Sequence, residues 1–114
     1  MAAAIARGDV RLYEFASSDK VRPVLVLTRQ SAIGFLNTVT VAAITSTIRG
    51  VASEVLLTED DGMKNACAVN LYNLACIRAD HLGRKLTQLS EVKMQHVCKA
   101  LGFAVGCEGE QRSI

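Results

Sequence analysis

The hydrophobic pattern changes period once along the chain. Up to Ile77, apolar residues come in short runs separated by polar or Gly-bearing connections. Val10-Arg11-Leu12-Tyr13-Glu14-Phe15 is rich in β-formers and alternates only in part. Pro23 to Thr28 is a continuous apolar run, which predicts a strand buried on both faces, with Pro23 at its opening where a missing N–H is tolerated. Leu36 to Thr45 predicts a long strand, and Ser53 to Thr58 another that stops at the turn Asp60-Asp61-Gly62. Cys67 to Leu71 and Leu74 to Ile77 continue the sheet, while Ala16 to Lys20 and Ser31 to Gly34 read as connections. Several short strands divided by turn residues predict a small barrel or sandwich.

The last third turns helical. Ser90 is a good N-cap, Glu91 suits the positive end of the helix dipole, and Leu89 and Met94 hold the two hydrophobic-staple positions. Met94, Val97, Cys98 and Leu101 recur at helical spacing, and Gly102 is the predicted end. This helix is expected to pack against the barrel, preceded by a short helical turn over Ala79-Asp80-His81-Leu82.

Composition places these elements in one globular unit. The 114 residues are 50% hydrophobic and 21% charged, enough apolar surface for a core and too little charge for a disordered chain. The expected organisation is a single domain over 1–114, with 1–6 as a flexible N-terminus and 104–114 as a C-terminal tail. A net charge of +2 permits a nucleic-acid partner without arguing for one. None of the four Cys pairs at C-x-x-C spacing, which argues against a zinc site, and their sparse placement suits a reducing cytoplasm. The short uncharged N-terminal apolar run does not make a signal peptide, and no run reaches membrane-span length.

Two segments carry candidate chemistry. Val21-Arg22-Pro23-Val24-Leu25-Val26-Leu27-Thr28 has a permanent cation just before an apolar strand. Val39-Thr40-Val41-Ala42-Ala43-Ile44-Thr45-Ser46-Thr47 ends in hydroxyls. If the strands run antiparallel, Arg22 and Thr45 meet at the rim of a sheet, a place to hold a phosphate. Taken singly, an Arg beside a strand is usually a solvated edge charge, and Thr is a common strand residue. His81 and His96 raise a two-histidine ribonuclease, but the first lies in a connecting turn and the second on the polar side of the predicted helix.

Arg7-Gly8-Asp9-Val10, Arg22-Pro23-Val24-Leu25-Val26, Ala43-Ile44-Thr45-Ser46 and the Cys67-to-Leu82 block, in this order and spacing, resemble the MazF/PemK family of toxin endoribonucleases. The resemblance covers roughly 7–103. It implies an SH3-like small β-barrel with a C-terminal helix, a homodimer and inhibition by a cognate MazE-like antitoxin. It also implies sequence-specific cleavage of single-stranded RNA with no metal or other cofactor. It assigns catalysis to Arg22 and Thr45 and places Asn73 and Arg29 against RNA. Ser46, Thr47 and Arg49 follow Thr45 into a loop where they would reach phosphates. The chain departs from the family in having Asn65-Ala66 before the Val69 strand, where many relatives carry an Asp, and in a short 16–21 connection.

Metal-free cleavage uses the substrate's own 2′-hydroxyl and gives a 2′,3′-cyclic phosphate and a 5′-hydroxyl end. Arg22 suits stabilisation of the developing charge, because its planar fork grips phosphate and keeps its proton. Thr45, stiff at χ1, suits hydrogen-bond donation. A CcdB-like gyrase poison acting by protein binding, and a non-catalytic SH3-like interaction module, are the alternatives.

Overall fold

The computed structural model describes residues 4–15 and 20–107. Six strands form one antiparallel sheet: β1 (Asp9–Phe15), β2 (Lys20–Val26), β3 (Thr38–Thr45), β4 (Glu54–Leu57), β5 (Cys67–Arg78) and β6 (Lys85–Gln88). Their order across the sheet is β4-β5-β3-β2-β1-β6, and the sheet curls into an SH3-like half-barrel. The helix α1 (Glu91–Ala104) follows the last strand.

The apolar run of β2 explains the layering. Val24, Leu25 and Val26 are all completely buried, alternately on the two faces of the sheet. One face gathers Val10, Leu25, Ile44, Leu57, Val69 and Leu71 under Leu89, Met94, Val97 and Ala100. The other gathers Val24, Val26, Val39, Val41 and Ile77 under Ile5, Tyr13, Phe15 and Leu82. Each such side chain contributes about 1.5–3 kcal/mol on burial, so a two-sided core is a strong determinant of this register. Tyr13 and Phe15 meet edge to face at 4.8 Å, which gives Phe15 the packing role its position allows.

A buried polar network fastens the N-terminal end. Asp9 accepts from Arg11 Nε at 3.1 Å, Gln88 Nε2 at 3.1 Å and the Ala6 N–H at 3.1 Å. Arg11 in turn donates to the carbonyls of Gly83 and Ala4. Ala4 and Ala6 are thereby tied to the sheet, whereas the expected tail beyond Cys107 lies outside the described residues, as does the Ala16-to-Asp19 part of the first polar connection.

Three local expectations shift. Pro23 sits inside β2 rather than at its start, because β2 begins at Lys20. The predicted strands on either side of Tyr72 are one strand, β5, interrupted where Asn70 pairs with Ala43 and Leu74 with the adjacent Ala42, so that Leu71, Tyr72 and Asn73 form a bulge. The helix runs through Gly102. Its left-handed cap is Gly106 at φ 78°, with Gly106 N–H bonded to the Phe103 carbonyl and Cys107 N–H to that of Gly102. Ser90 caps the other end as predicted, accepting from the Lys93 N–H at 3.1 Å. The turn over Ala79–His81 also forms. Among the described residues no helix is long and apolar enough to cross a membrane.

Candidate active site

β2 and β3 are antiparallel, with Val24 facing Ala43, Leu25 facing Ala42 and Val26 facing Val41. Continuing that register two residues outward sets Arg22 across from Thr45. By alternation both stand on the face that carries Val24, Val26, Val39 and Val41. The ladder does not itself reach them, and Pro23 is the reason. Leu12, the β1 partner of Pro23, turns its own N–H and carbonyl to Arg84 and Gly83 on the far side. The Pro23 nitrogen therefore faces β3, where it has no hydrogen to give. The strands part at that point. Arg22, Pro23, Ile44, Thr45 and Ser46 then line a concavity of about 280 Å³, closed by Met63-Lys64-Asn65-Ala66-Cys67 and Leu86.

The Thr45 hydroxyl accepts from the Thr47 N–H at 3.0 Å, which leaves its own proton free to be donated. Arg22 is exposed and forms no ion pair among the described residues. No carboxylate lines the concavity. The adjacent Asp61 is engaged by the Thr58 N–H at 2.9 Å and Lys93 Nζ at 3.5 Å. Burial, and secondarily the Asp61 charge, push the Cys67 thiol above its ordinary pKa, so it stays protonated and is not a nucleophile. The site is thus a cationic, hydroxyl-bearing notch that can grip an oxyanion.

The remaining sequence candidates are distributed differently. Ser46 lines the notch, and Thr47 and Arg49 follow in the exposed loop, which is held by Glu54 accepting from the Arg49 and Gly50 N–H groups. Arg29 lies past the other end of β2, at most about 23 Å along the chain from Arg22 at about 3.3 Å per extended residue, beside Arg7, Gln30 and Ser31. Asn73 is exposed on the β5 bulge. The Asn that shares a face with Thr45 is Asn70, on the same side of β5 as Ala68, the Thr45 partner. His81 follows the far end of β5 and His96 lines a groove between α1 and β4, so neither enters the notch. Lys64 and Asn65 do; the sequence marks Asn65 only as a departure from the family pattern and does not single out Lys64. Only the pairing of Thr45 with Ala68, which brings the start of β5 beside β3, reveals them. Among the described residues no three His, Cys, Asp or Glu side chains stand together as metal ligands.

Comparison with known proteins shows the family of the chain. Residues 6–105 match the family model described as PemK-like, MazF-like toxin of type II toxin-antitoxin system. The chain is 41% identical over 108 residues, 94% of its length and 98% of the relative's, to the Mycobacterium tuberculosis protein named "Probable endoribonuclease MazF5". Among solved structures it superposes on Mycobacterium tuberculosis toxin MazF-mt6 with TM-score 0.79 and 33% identity, covering 88% of this chain and 98% of that one. It also shares its fold with a mycobacterial endoribonuclease solved in complex with its cognate antitoxin, at TM-score 0.83 and 23% identity, covering 92% and 98%. The notch at the parted ends of β2 and β3 therefore belongs to a chain that is a member of the PemK-like, MazF-like toxins of type II toxin-antitoxin systems.

Proposed function

We propose that this toxin is an endoribonuclease that cleaves single-stranded RNA at the Arg22–Thr45 notch without a metal ion. The observation that carries the reading is that Arg22 and Thr45, just beyond the last paired residues of β2 and β3, line one concavity free of carboxylates. The relative named above is itself called an endoribonuclease.

Arg22 binds the scissile phosphate through its fork and stabilises the charge that builds on the phosphoryl oxygens. Thr45, its oxygen already accepting from Thr47, donates a hydrogen bond to a phosphoryl or leaving oxygen and keeps its proton. The substrate's 2′-oxygen forms a bond to phosphorus and the bond to the 5′-oxygen breaks. Overall the 2′-hydroxyl proton moves to the 5′-oxygen, so the products are a 2′,3′-cyclic phosphate and a 5′-hydroxyl end, and no water is consumed. A guanidinium is a poor base, so the part of Arg22 is electrostatic. Ser46, Thr47 and Arg49 lie along the exit of the notch and serve flanking phosphates, and Arg29 and Asn73 serve more distant nucleotides.

The working unit is a homodimer, which lengthens a shallow notch into a channel, and the regulator is a cognate antitoxin, as in the mycobacterial complex. The compartment is the cytoplasm, in keeping with four free cysteines.

The test is purified protein on a single-stranded RNA in excess EDTA. Cleavage with 5′-hydroxyl and cyclic-phosphate ends, lost in Arg22→Ala and Thr45→Ala variants that keep their circular dichroism, supports the reading. Cleavage that returns only with magnesium, or full activity in either variant, overturns it.

A further inference from the structure

Lys64 lines the same concavity as Arg22 and Thr45. It is held there by its neighbours. Gly62 turns the chain at φ 91°, Met63 is buried in the core, and four residues later Cys67 is buried at the start of β5. The segment Lys64-Asn65-Ala66 therefore hangs between two anchors, so the backbone of Lys64 is fixed at the wall of the notch while its long stem is free. Its ammonium forms no ion pair among the described residues, and Asp61 of the preceding turn is already bound by Thr58 and Lys93. The notch therefore holds two uncompensated cations, of which the reading above uses one.

We propose that Lys64 is a second catalytic cation, contacting the scissile phosphate as charge builds during cleavage. This rests on the reading of the notch as an RNA-cleaving site. A phosphodiester carries one negative charge, and Arg22 alone matches it. When the 2′-oxygen has bonded to phosphorus and the 5′-oxygen has not yet left, the five-coordinate phosphorus group carries close to two. A second cation within reach interacts more strongly with that state than with the bound substrate, and only such a differential interaction raises the rate. Lys suits the role because a rotatable ammonium is a point charge that follows the developing oxyanion, whereas the Arg22 fork fixes orientation. The bonds and protons are those already given: 2′-oxygen to phosphorus forms, phosphorus to 5′-oxygen breaks, and the proton passes from the first oxygen to the second. Lys64 keeps its proton throughout.

The experiment compares wild type, Lys64→Gln and Lys64→Arg in EDTA by single-turnover cleavage of a short RNA, alongside binding of the same RNA carrying a 2′-deoxy group at the scissile position. The expected result is a fall of about 10²-fold in the cleavage step for Lys64→Gln, with binding of the deoxy analogue unchanged within about threefold and most of the rate regained in Lys64→Arg. An unchanged rate overturns the role of Lys64 while leaving Arg22 and Thr45 in place. So does weaker binding at an unchanged rate, which makes Lys64 a backbone-positioning group. Absence of cleavage by wild type overturns the RNA-cleaving reading and the role of Lys64 with it.

Discussion

Arg22 and Thr45 face each other across β2 and β3, two residues beyond the last paired residues, Val24 and Ala43. Both line the same concavity of about 280 Å³, where their side chains can share a ligand. One phosphate bridging both should make their contributions strongly non-additive. Arg22→Ala and Thr45→Ala should each reduce the single-turnover rate by at least about 10²-fold, and the double variant should lose little more than the worse single. Rate constants from the four proteins in one RNA assay decide this. Losses that multiply would mean the two residues act on different groups. Arg22→Lys should remain well below wild type, because an ammonium cannot reproduce the two-point grip.

Pro23 decides whether that pair has a gap between them. Its nitrogen faces β3 and cannot donate, and there the strands part. Pro23→Ala supplies the missing N–H, and the ladder should then extend to Ile44. Fold stability should change by less than about 1 kcal/mol, since one hydrogen bond gained offsets the greater freedom of the unfolded chain. The amide at position 23 should be protected from hydrogen exchange, and cleavage should fall. Unchanged cleavage together with a protected amide would show that the gap is not needed.

Asp9 offers a stability test away from the notch. It is completely buried and compensates Arg11, which is 6% exposed, while also accepting from Gln88 and Ala6. Asp9→Ala strands a buried guanidinium and should cost about 3–5 kcal/mol. Urea denaturation measures the loss, and a value under 1 kcal/mol would mean that water reaches Arg11 readily.

How much of this was legible in the sequence depends on the range of each interaction. The strands under β1 to β5 and the cap at Ser90 follow from local pattern, because burial on two faces and a free first-turn N–H are properties of the segment itself. The notch pair was legible as two motifs whose meeting required only antiparallel pairing. Lys64 was not, because its importance comes from Thr45 pairing with Ala68, a contact between distant parts of the chain. The Lys85–Gln88 strand was passed over because its apolar signal is a single Leu, and it is held by bonds to β1. Gly102 was expected to end the helix because a Gly just after the last periodic apolar residue is the usual stop signal. The cap four residues on, Gly106, is set by backbone hydrogen bonds that leave no mark in hydrophobicity.

Cys67 should make stability depend on pH in the alkaline range. Burial, then the Asp61 charge, raise its pKa, so the folded state favours the neutral thiol. The unfolded chain ionises first. The stability this confers is complete below the ordinary thiol pKa of 9.0 and is lost as pH rises towards the raised folded value. At pH 8 a thiol reagent should modify the exposed Cys76, Cys98 and Cys107 rapidly, and Cys67 only at the rate of unfolding. Equal labelling of all four would show that the notch wall opens freely.

Gly62 tests whether that wall must be fixed for cleavage. It has a left-handed φ of 91°, and a Cβ there would come within 2.8 Å of Thr87 Cβ and closer still to its hydroxyl oxygen. Thr87 cannot withdraw without giving up its 3.1 Å bond to the Asp61 carbonyl. Gly62→Ala therefore meets both backbone strain, about 1–2 kcal/mol, and overpacking of about 1–3 kcal/mol. The expected loss is several kcal/mol in chemical denaturation, with reduced cleavage at temperatures where the protein is still folded, because Lys64 lies two residues on. In Gly62→Ala/Thr87→Ser the clash is only partly relieved, since Oγ remains. In Gly62→Ala/Thr87→Ala the clash with the oxygen is gone, and more of both stability and cleavage should return. If Gly62→Ala destabilises the fold but the folded fraction cleaves at the wild-type rate, the position of the 63–66 segment is not what limits catalysis.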